Sequence, residues 1–423
     1  MRRYYPAIDE TLDIRKLENG LQVVVVPRKG FQKKLAYFVT DFGSVHTDFS
    51  LEGEEHHVSA GIAHFLEHKM FELPDKDVSG LFAELGANVN AFTSYDMTAY
   101  YFSCTHHFEE NLRLLLEFVS TPYFPEESVL REQGIIDQEI AMSMDAPESR
   151  VFEAMLGKMY EKHPIRVPIL GTQESIRQIT PQMLRLCHDA FYTPGNMILC
   201  VVGDVDADAV ERCALEVLGS ETRPVGKKLR QWQEFMTAYG DSKGQMEVAM
   251  PTFQLGYKCE CAPNGIESIR QEIVADLAAE ALFGESSALY LDMYEKGWID
   301  ASFGGGFESV DGCAMLTCGG DSDVPEKVRS AVEKRAQELA WEGVPEADFL
   351  RMKRSALGRR MRDLDSFDST AFRICAYYFA GFDYFGFPAI YEQVKSQEIQ
   401  AFLQQVVRKE RGSLSVIYPL AEK

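Results

Sequence analysis

The sequence predicts an α+β chain built as two homologous α/β-sandwich-type domains that arose by internal duplication. Three observations carry that reading. The chain is 423 residues long, more than a single hydrophobic core usually spans at ~100–200 residues per domain. Strand and helix patterns come in clusters rather than in strict βαβ alternation, which favours helices packed on an antiparallel or mixed sheet. The order of elements in the first half also recurs in the second.

The recurrence is visible in short segments. Phe124-Pro-Glu-Glu-Ser-Val-Leu-Arg131 is echoed by Val344-Pro-Glu-Ala-Asp-Phe-Leu-Arg351, displaced by 220 residues. Each follows an amphipathic helical stretch, Glu109–Val119 and Pro325–Leu339, and each opens a further long helical pattern. Ile179 to Leu184 and the strand Asn196–Val202 are matched by Val394–Ile399 and the strand Ser413–Tyr418. Leu35–Thr40 and Thr98–Cys104 read as strands, being rich in β-branched and aromatic residues. Residues 219–244 carry Gly219-Ser220, Arg223-Pro224 and Asp241-Ser-Lys-Gly244 without sustained apolar periodicity, and read as a linker. The expected division is therefore 1–218, 219–244 and 245–423.

Composition removes several functional classes. Apolar residues make up 46% and charged residues 26%, which excludes disordered and low-complexity chains. The formal net charge of −22 has the wrong sign for gripping phosphate backbones, so nucleic acid is not an expected partner. Such acidity keeps a protein soluble; where it reaches a substrate, it favours a cationic one. Arg2 and Arg3 lead into no apolar segment, and no run of ~18 apolar residues exists to span a bilayer. With nine scattered cysteines, the expectation is a cytoplasmic chain with reduced thiols and no membrane partner. Cys259 and Cys261 form a lone C-x-C and read as core positions.

The chemistry is concentrated in Gly61-Ile-Ala-His64-Phe-Leu-Glu67-His68-Lys-Met-Phe71. Ile62, Phe65, Leu66 and Met70 fit an amphipathic helix, on which His64 and His68 stand one turn apart on one face. Two imidazoles aimed at one point suit zinc, which takes neutral His nitrogens in a tetrahedral shell. Glu67 sits beside that point, placed to take a proton from a zinc-bound water. Two histidines are too few, because catalytic zinc keeps about three protein ligands and one open position. The helical stretch Pro125–Met144 offers Glu132 and Glu139, two turns apart on one face; one suffices as ligand, and the other can fix a histidine tautomer.

His64-x-x-Glu67-His68 with Glu139, Glu132 and the segment Gly86-Ala-Asn-Val-Asn90-Ala91-Phe92-Thr93-Ser94 resembles the pitrilysin/insulinase family of zinc peptidases, the inverzincins, in the processing-peptidase-like subfamily. The resemblance implies one Zn2+ per chain on His64, His68 and Glu139, with Glu67 as general base and Glu132 in support. It implies that Asn90, Ala91, Phe92 and Thr93 lie on an edge strand that pairs with extended peptide substrate. It further implies a clamshell of two such chains, and a zinc endopeptidase acting on unfolded peptides, leader peptides among them. The alternative is a non-catalytic peptide-binding subunit.

The second half lacks this machinery. At the same displacement Glu132 and Glu139 become Met352 and Arg359, and no histidine follows His188. Self-sufficient family members carry in their second half an Arg, then a Tyr, that hold substrate; here Tyr294, in Tyr290–Asp300, stands where the Arg belongs. The expected partner is therefore a sister chain without the zinc motif, as in paired bacterial peptidases associated with elongation-factor P modification; a homodimer is the other arrangement. The remaining motifs read as structural. His56-His57 falls in a solvated loop, His106-His107 at a helix start, and Gly319-Gly320 in a turn. Gly304-Gly-Gly306 lacks the context of a phosphate loop, and Tyr377, Tyr378, Phe379, Phe382, Tyr384, Phe385 and Phe387 belong to a core.

Overall fold

The computed structural model describes residues 1–74, 76–229 and 234–420, and its two large sheets record the duplication strand by strand. The first has seven strands in the order Arg2–Tyr5, Glu10–Lys16, Gln22–Pro27, Met197–Gly203, Lys34–Thr40, Thr98–Cys104 and Asn88–Thr93. The second has five: Ser242–Met246, Gly412–Pro419, Thr252–Cys259, Cys313–Asp321 and Gly304–Val310. Remove the first two strands of the larger sheet, and the orders correspond one to one. The pairing directions correspond as well. Gln22–Pro27 runs parallel to Met197–Gly203, as Ser242–Met246 does to Gly412–Pro419, and the remaining pairs in both are antiparallel.

The central strands are apolar throughout, as strands covered on both faces must be. Met197–Gly203 is buried at every residue and Gln22–Val26 likewise. What covers them joins the halves. Helix Pro147–Met159, from the first half, packs on Thr252–Cys259 and Gly412–Pro419 of the second sheet. Its counterpart Phe367–Phe379 packs on Met197–Gly203 and Lys34–Thr40 of the first. Met155 and Met159 press against Gly256, where an added Cβ would lie 2.6 Å from the Met155 sulfur. Each half therefore completes the other's core. The aromatic run from Tyr377 contributes to it: Tyr377, Tyr384, Phe385 and Phe387 are buried.

Three local expectations are revised. His56 and His57 lie in strand Glu54–His57, hairpinned to Asp48–Leu51 through Glu52 and Gly53, both at positive φ. Gly319-Gly320 is no turn but part of strand Cys313–Asp321. An added Cβ at Gly319 would lie 2.5 Å from the Phe253 carbonyl oxygen, so glycine serves close strand approach there. Within 219–244, Lys227–Lys228 pairs with Asp48–Leu51, and Ser242–Met246 enters the second sheet; Arg230–Gln233 lie outside the described residues.

In the second half, charge pairs join helix Ile266–Phe283 to helix Glu346–Asp363. Arg360, 6% exposed, donates to Glu272 at 2.5 Å and to the Tyr377 hydroxyl at 2.8 Å. Asp276 lies 3.5 Å from the same guanidinium. Burial, helped by neighbouring Glu272, raises its pKa to about 6 from 3.8. A folded carboxyl that holds its proton more tightly than the unfolded one costs stability as pH rises through that window. Asp276→Asn is expected to raise unfolding free energy at pH 7.5 by about 1 kcal/mol, discounted for solvent screening, and to change it little at pH 4. Denaturant melts at both pH values check this; equal effects at the two would refute it.

Candidate metal centre

The motif helix runs Ile62–Met70 and is anchored by its apolar residues. Ile62, Phe65, Leu66 and Met70 are at most 2% exposed, each contributing roughly 1.5–3 kcal/mol of burial. Gly61 precedes it at φ +87°, a conformation that glycine adopts at little cost. The position also has no room for a side chain, since a Cβ would lie 2.5 Å from the Leu170 carbonyl oxygen. With the rest of the helix enclosed, His64 and His68 are left facing the cleft, their ring centroids 4.5 Å apart.

Opposite them runs helix Glu126–Met144, with Glu126 and Glu127 in its first turn, where carboxylates favour the helix dipole. It presents Glu139 to both imidazoles: Oε2 lies 3.8 Å from His64 Nε2 and 3.7 Å from His68 Nε2. Glu132 meets the other side of His68, its Oε1 2.9 Å from Nδ1. With Nδ1–H donated to Glu132, the Nε2 lone pair of His68 is turned toward Glu139. Glu139 thus lies among the converging donors, and Glu132 behind a histidine.

The electrostatics follow from burial. Enclosure, reinforced by the charge of His68, lowers the His64 pKa to about 3, so this ring is neutral with a free lone pair. Burial pulls His68 down too, but its bond to Glu132 and the charges of Glu139, Glu132 and Glu67 prevail and raise it. Glu67, 9% exposed, is raised by burial against the opposing bond from Thr93 and the charge of His68. A carboxylate raised in this way is a better proton acceptor near neutrality.

The segment Asn88–Thr93 is an outer strand of its sheet, paired with Thr98–Cys104. Its side chains alternate. Phe92 packs between Tyr101 and Phe372 of the second half, and Asn90 Oδ1 accepts from the Ala91 amide at 2.8 Å. Thr93, on the opposite face, donates its hydroxyl to Glu67 Oε2 at 2.6 Å. The main chain of Thr93 stays on the sheet edge, while its side chain goes to the candidate base. Nothing local in the sequence signals that bond, because it spans 26 residues between a strand and a helix. Tyr294, on helix Ala288–Glu295, is 52% exposed and stacks on Tyr290.

The donor set fits zinc. Two imidazole nitrogens and a carboxylate oxygen face one point, all within 4.8 Å of one another. Donors in a tetrahedral shell with bonds of ~2.0–2.1 Å stand about 3.3 Å apart, so the two carboxylate–imidazole separations of 3.8 and 3.7 Å need to contract by about half an ångström. The neutral His64 and the Glu132-held tautomer of His68 supply the protonation states that ligation needs.

Known proteins resemble the chain along both halves. Residues 53–173 match the profile described as insulinase (peptidase family M16), and residues 178–356 the M16 inactive domain. A Bacillus subtilis protein named uncharacterized zinc protease YmfH is 36% identical over 424 residues, 98% of each chain. YmxG of the same organism, also named a zinc protease, is 26% identical over 319 residues, 73% of this chain and 76% of that one. Among solved structures, an M16-like peptidase from Alicyclobacillus acidocaldarius superposes with a TM-score of 0.93 at 32% identity, over 97% of this chain and 99% of its own. A Helicobacter pylori protease shares the fold at 20% identity, TM-score 0.79, over 96% and 99%. With both halves matched and near-full-length likeness to a protein named as a zinc protease, the chain belongs to the insulinase family, peptidase family M16.

Proposed function

We propose that this chain is a zinc-dependent endopeptidase that cuts unfolded peptides held extended along Asn88–Thr93, working with a sister subunit that lacks the zinc motif. The observation that carries the reading is the convergence of His64, His68 and Glu139 beside a buried carboxylate, Glu67. Zinc, when bound, supplies Lewis acidity at the scissile carbonyl and acidifies the attacking water. Glu67 takes the proton of that water and returns it to the leaving amine. Glu132 fixes the His68 ring, and the edge strand holds the peptide by main-chain hydrogen bonds.

The pairing with a sister chain rests on Tyr294, at the position where self-sufficient relatives keep an arginine. This reading places the chain with the zinc-bearing members of paired bacterial peptidases associated with elongation-factor P modification, in the cytoplasm. Leader-peptide removal and general peptide degradation both suit such a site. The experiment is chelator-sensitive cleavage of a mixed peptide library by the purified chain, alone and with a sister subunit, with zinc quantified in parallel. Cleavage only in the mixture, at about one zinc per chain, supports the split enzyme. Cleavage by the chain alone refutes the need for a sister, and a zinc-free, inactive chain supports a peptide-binding subunit instead.

If Thr93 orients Glu67, Thr93→Val is expected to lower kcat roughly 10–100-fold, the scale for a misplaced reacting group, with KM and zinc content unchanged. Thr93→Ser, which keeps the hydroxyl, is expected to retain most activity. Steady-state kinetics on one peptide checks both; a change in KM alone would give the Thr93 side chain to substrate binding instead of Glu67.

A further inference from the structure

Lys69 follows the second histidine of the motif and is completely buried. A lysine removed from water costs several kcal/mol unless it is paired and hydrogen-bonded, so its partners matter. Its ammonium donates to the Glu72 carboxylate, just past the motif helix, and to the Ser128 hydroxyl, which in turn donates to Glu72. Arg131 approaches the same carboxylate at 3.6 Å. Ser128 belongs to helix Glu126–Met144, one turn before Glu132.

Two adjacent rungs thus join the same pair of helices: His68 to Glu132, and Lys69 to Ser128. The second rung is dry and charged, and it lies on the side of Glu132 away from Glu139. We infer that Lys69, through Ser128 and Glu72, is a positioning residue that sets the approach of helix Glu126–Met144 to the motif helix and so places Glu139 for zinc. The inference rests on the zinc reading above. From Ser128 to Glu139 the helix rises ~16 Å, at about 1.5 Å per residue. A tilt of about 4° at Ser128 displaces Glu139 by about 1 Å, several times the ~0.2 Å tolerance of a metal–ligand distance. A charge-assisted hydrogen bond from a buried ammonium to Ser128 fixes such an angle more sharply than interchangeable apolar contacts, since its geometry is directional.

The test is zinc affinity of the full chain, by competition with a chromogenic chelator, for Lys69→Met and Ser128→Ala. Ser128→Ala keeps the Lys69–Glu72 pair, so it addresses the helix contact even where Lys69→Met folds poorly. Each is expected to weaken zinc binding roughly 10–100-fold, the range for groups that hold ligands in place. The rise in melting temperature on adding zinc should shrink accordingly, whereas a purely structural role would lower the zinc-free melt and leave that rise intact. Wild-type affinity in Ser128→Ala overturns the inference and leaves the zinc reading standing. A wild-type chain that takes up no zinc overturns both.

Discussion

Glu67→Gln is expected to take up zinc as the unaltered chain does and to lose peptide hydrolysis by about 10²–10⁴-fold, the range for removing a general base. The substitution is nearly isosteric, so the Thr93 hydroxyl at 2.6 Å keeps an acceptor in the amide oxygen, and the helix around it keeps its packing. Glu67 lies among the converging donors without being one of them, which is why zinc content and activity should separate. Neutralising a carboxylate that burial holds at raised pKa also relieves a desolvation penalty, so the variant should be no less stable than its parent. Metal analysis alongside single-turnover hydrolysis checks the separation. Retained hydrolysis would remove Glu67 from the role of base, and joint loss of zinc and activity would make it a contributor to the metal site.

The parts of this site that the sequence discloses are those set by a single helix. His64 and His68 are one turn apart, so their shared face follows from helical geometry, and Glu132 and Glu139 share a face for the same reason. The helices themselves, Ile62–Met70 and Glu126–Met144, lie within one residue of the spans that periodicity indicates. One strand of the correspondence between the halves, Asn196–Val202 with Ser413–Tyr418, was also readable, because duplication preserves segment order. What local pattern does not hold is which surface covers which. Pro147–Met159 and Phe367–Phe379 are amphipathic in sequence, yet an apolar stripe does not name the sheet it seeks, and each packs on the sheet of the other half. Lys69 illustrates the same limit by residue type. Lysine is almost never fully buried, and only the distant Ser128 with nearby Glu72 explains its enclosure. Gly319 misled for a related reason, since glycine marks turns and close strand contacts alike.

Glu139→Ala and His64→Ala are each expected to abolish stable zinc binding, with affinity falling well beyond the ~100-fold that marks the upper range for an outer partner. Removing either leaves two protein donors for a catalytic ion that ordinarily keeps about three. Glu132→Ala should fall inside that outer range, because Glu132 reaches only Nδ1 of His68, and the imidazole can still ligate through Nε2 once it is less firmly oriented. The order of the effects is therefore the informative quantity. Zinc affinities for the three variants, measured by chelator competition at one pH, should rank Glu139→Ala with His64→Ala and separate both from Glu132→Ala by at least tenfold. The reverse order would make Glu132 the ligand. That outcome would require helix Glu126–Met144 to slide along the motif helix by two turns, since the carboxylates are seven residues apart, and a shift of that size would break the Lys69–Ser128 contact. The ranking thus tests the ligand assignment and the placement of the two helices in a single measurement.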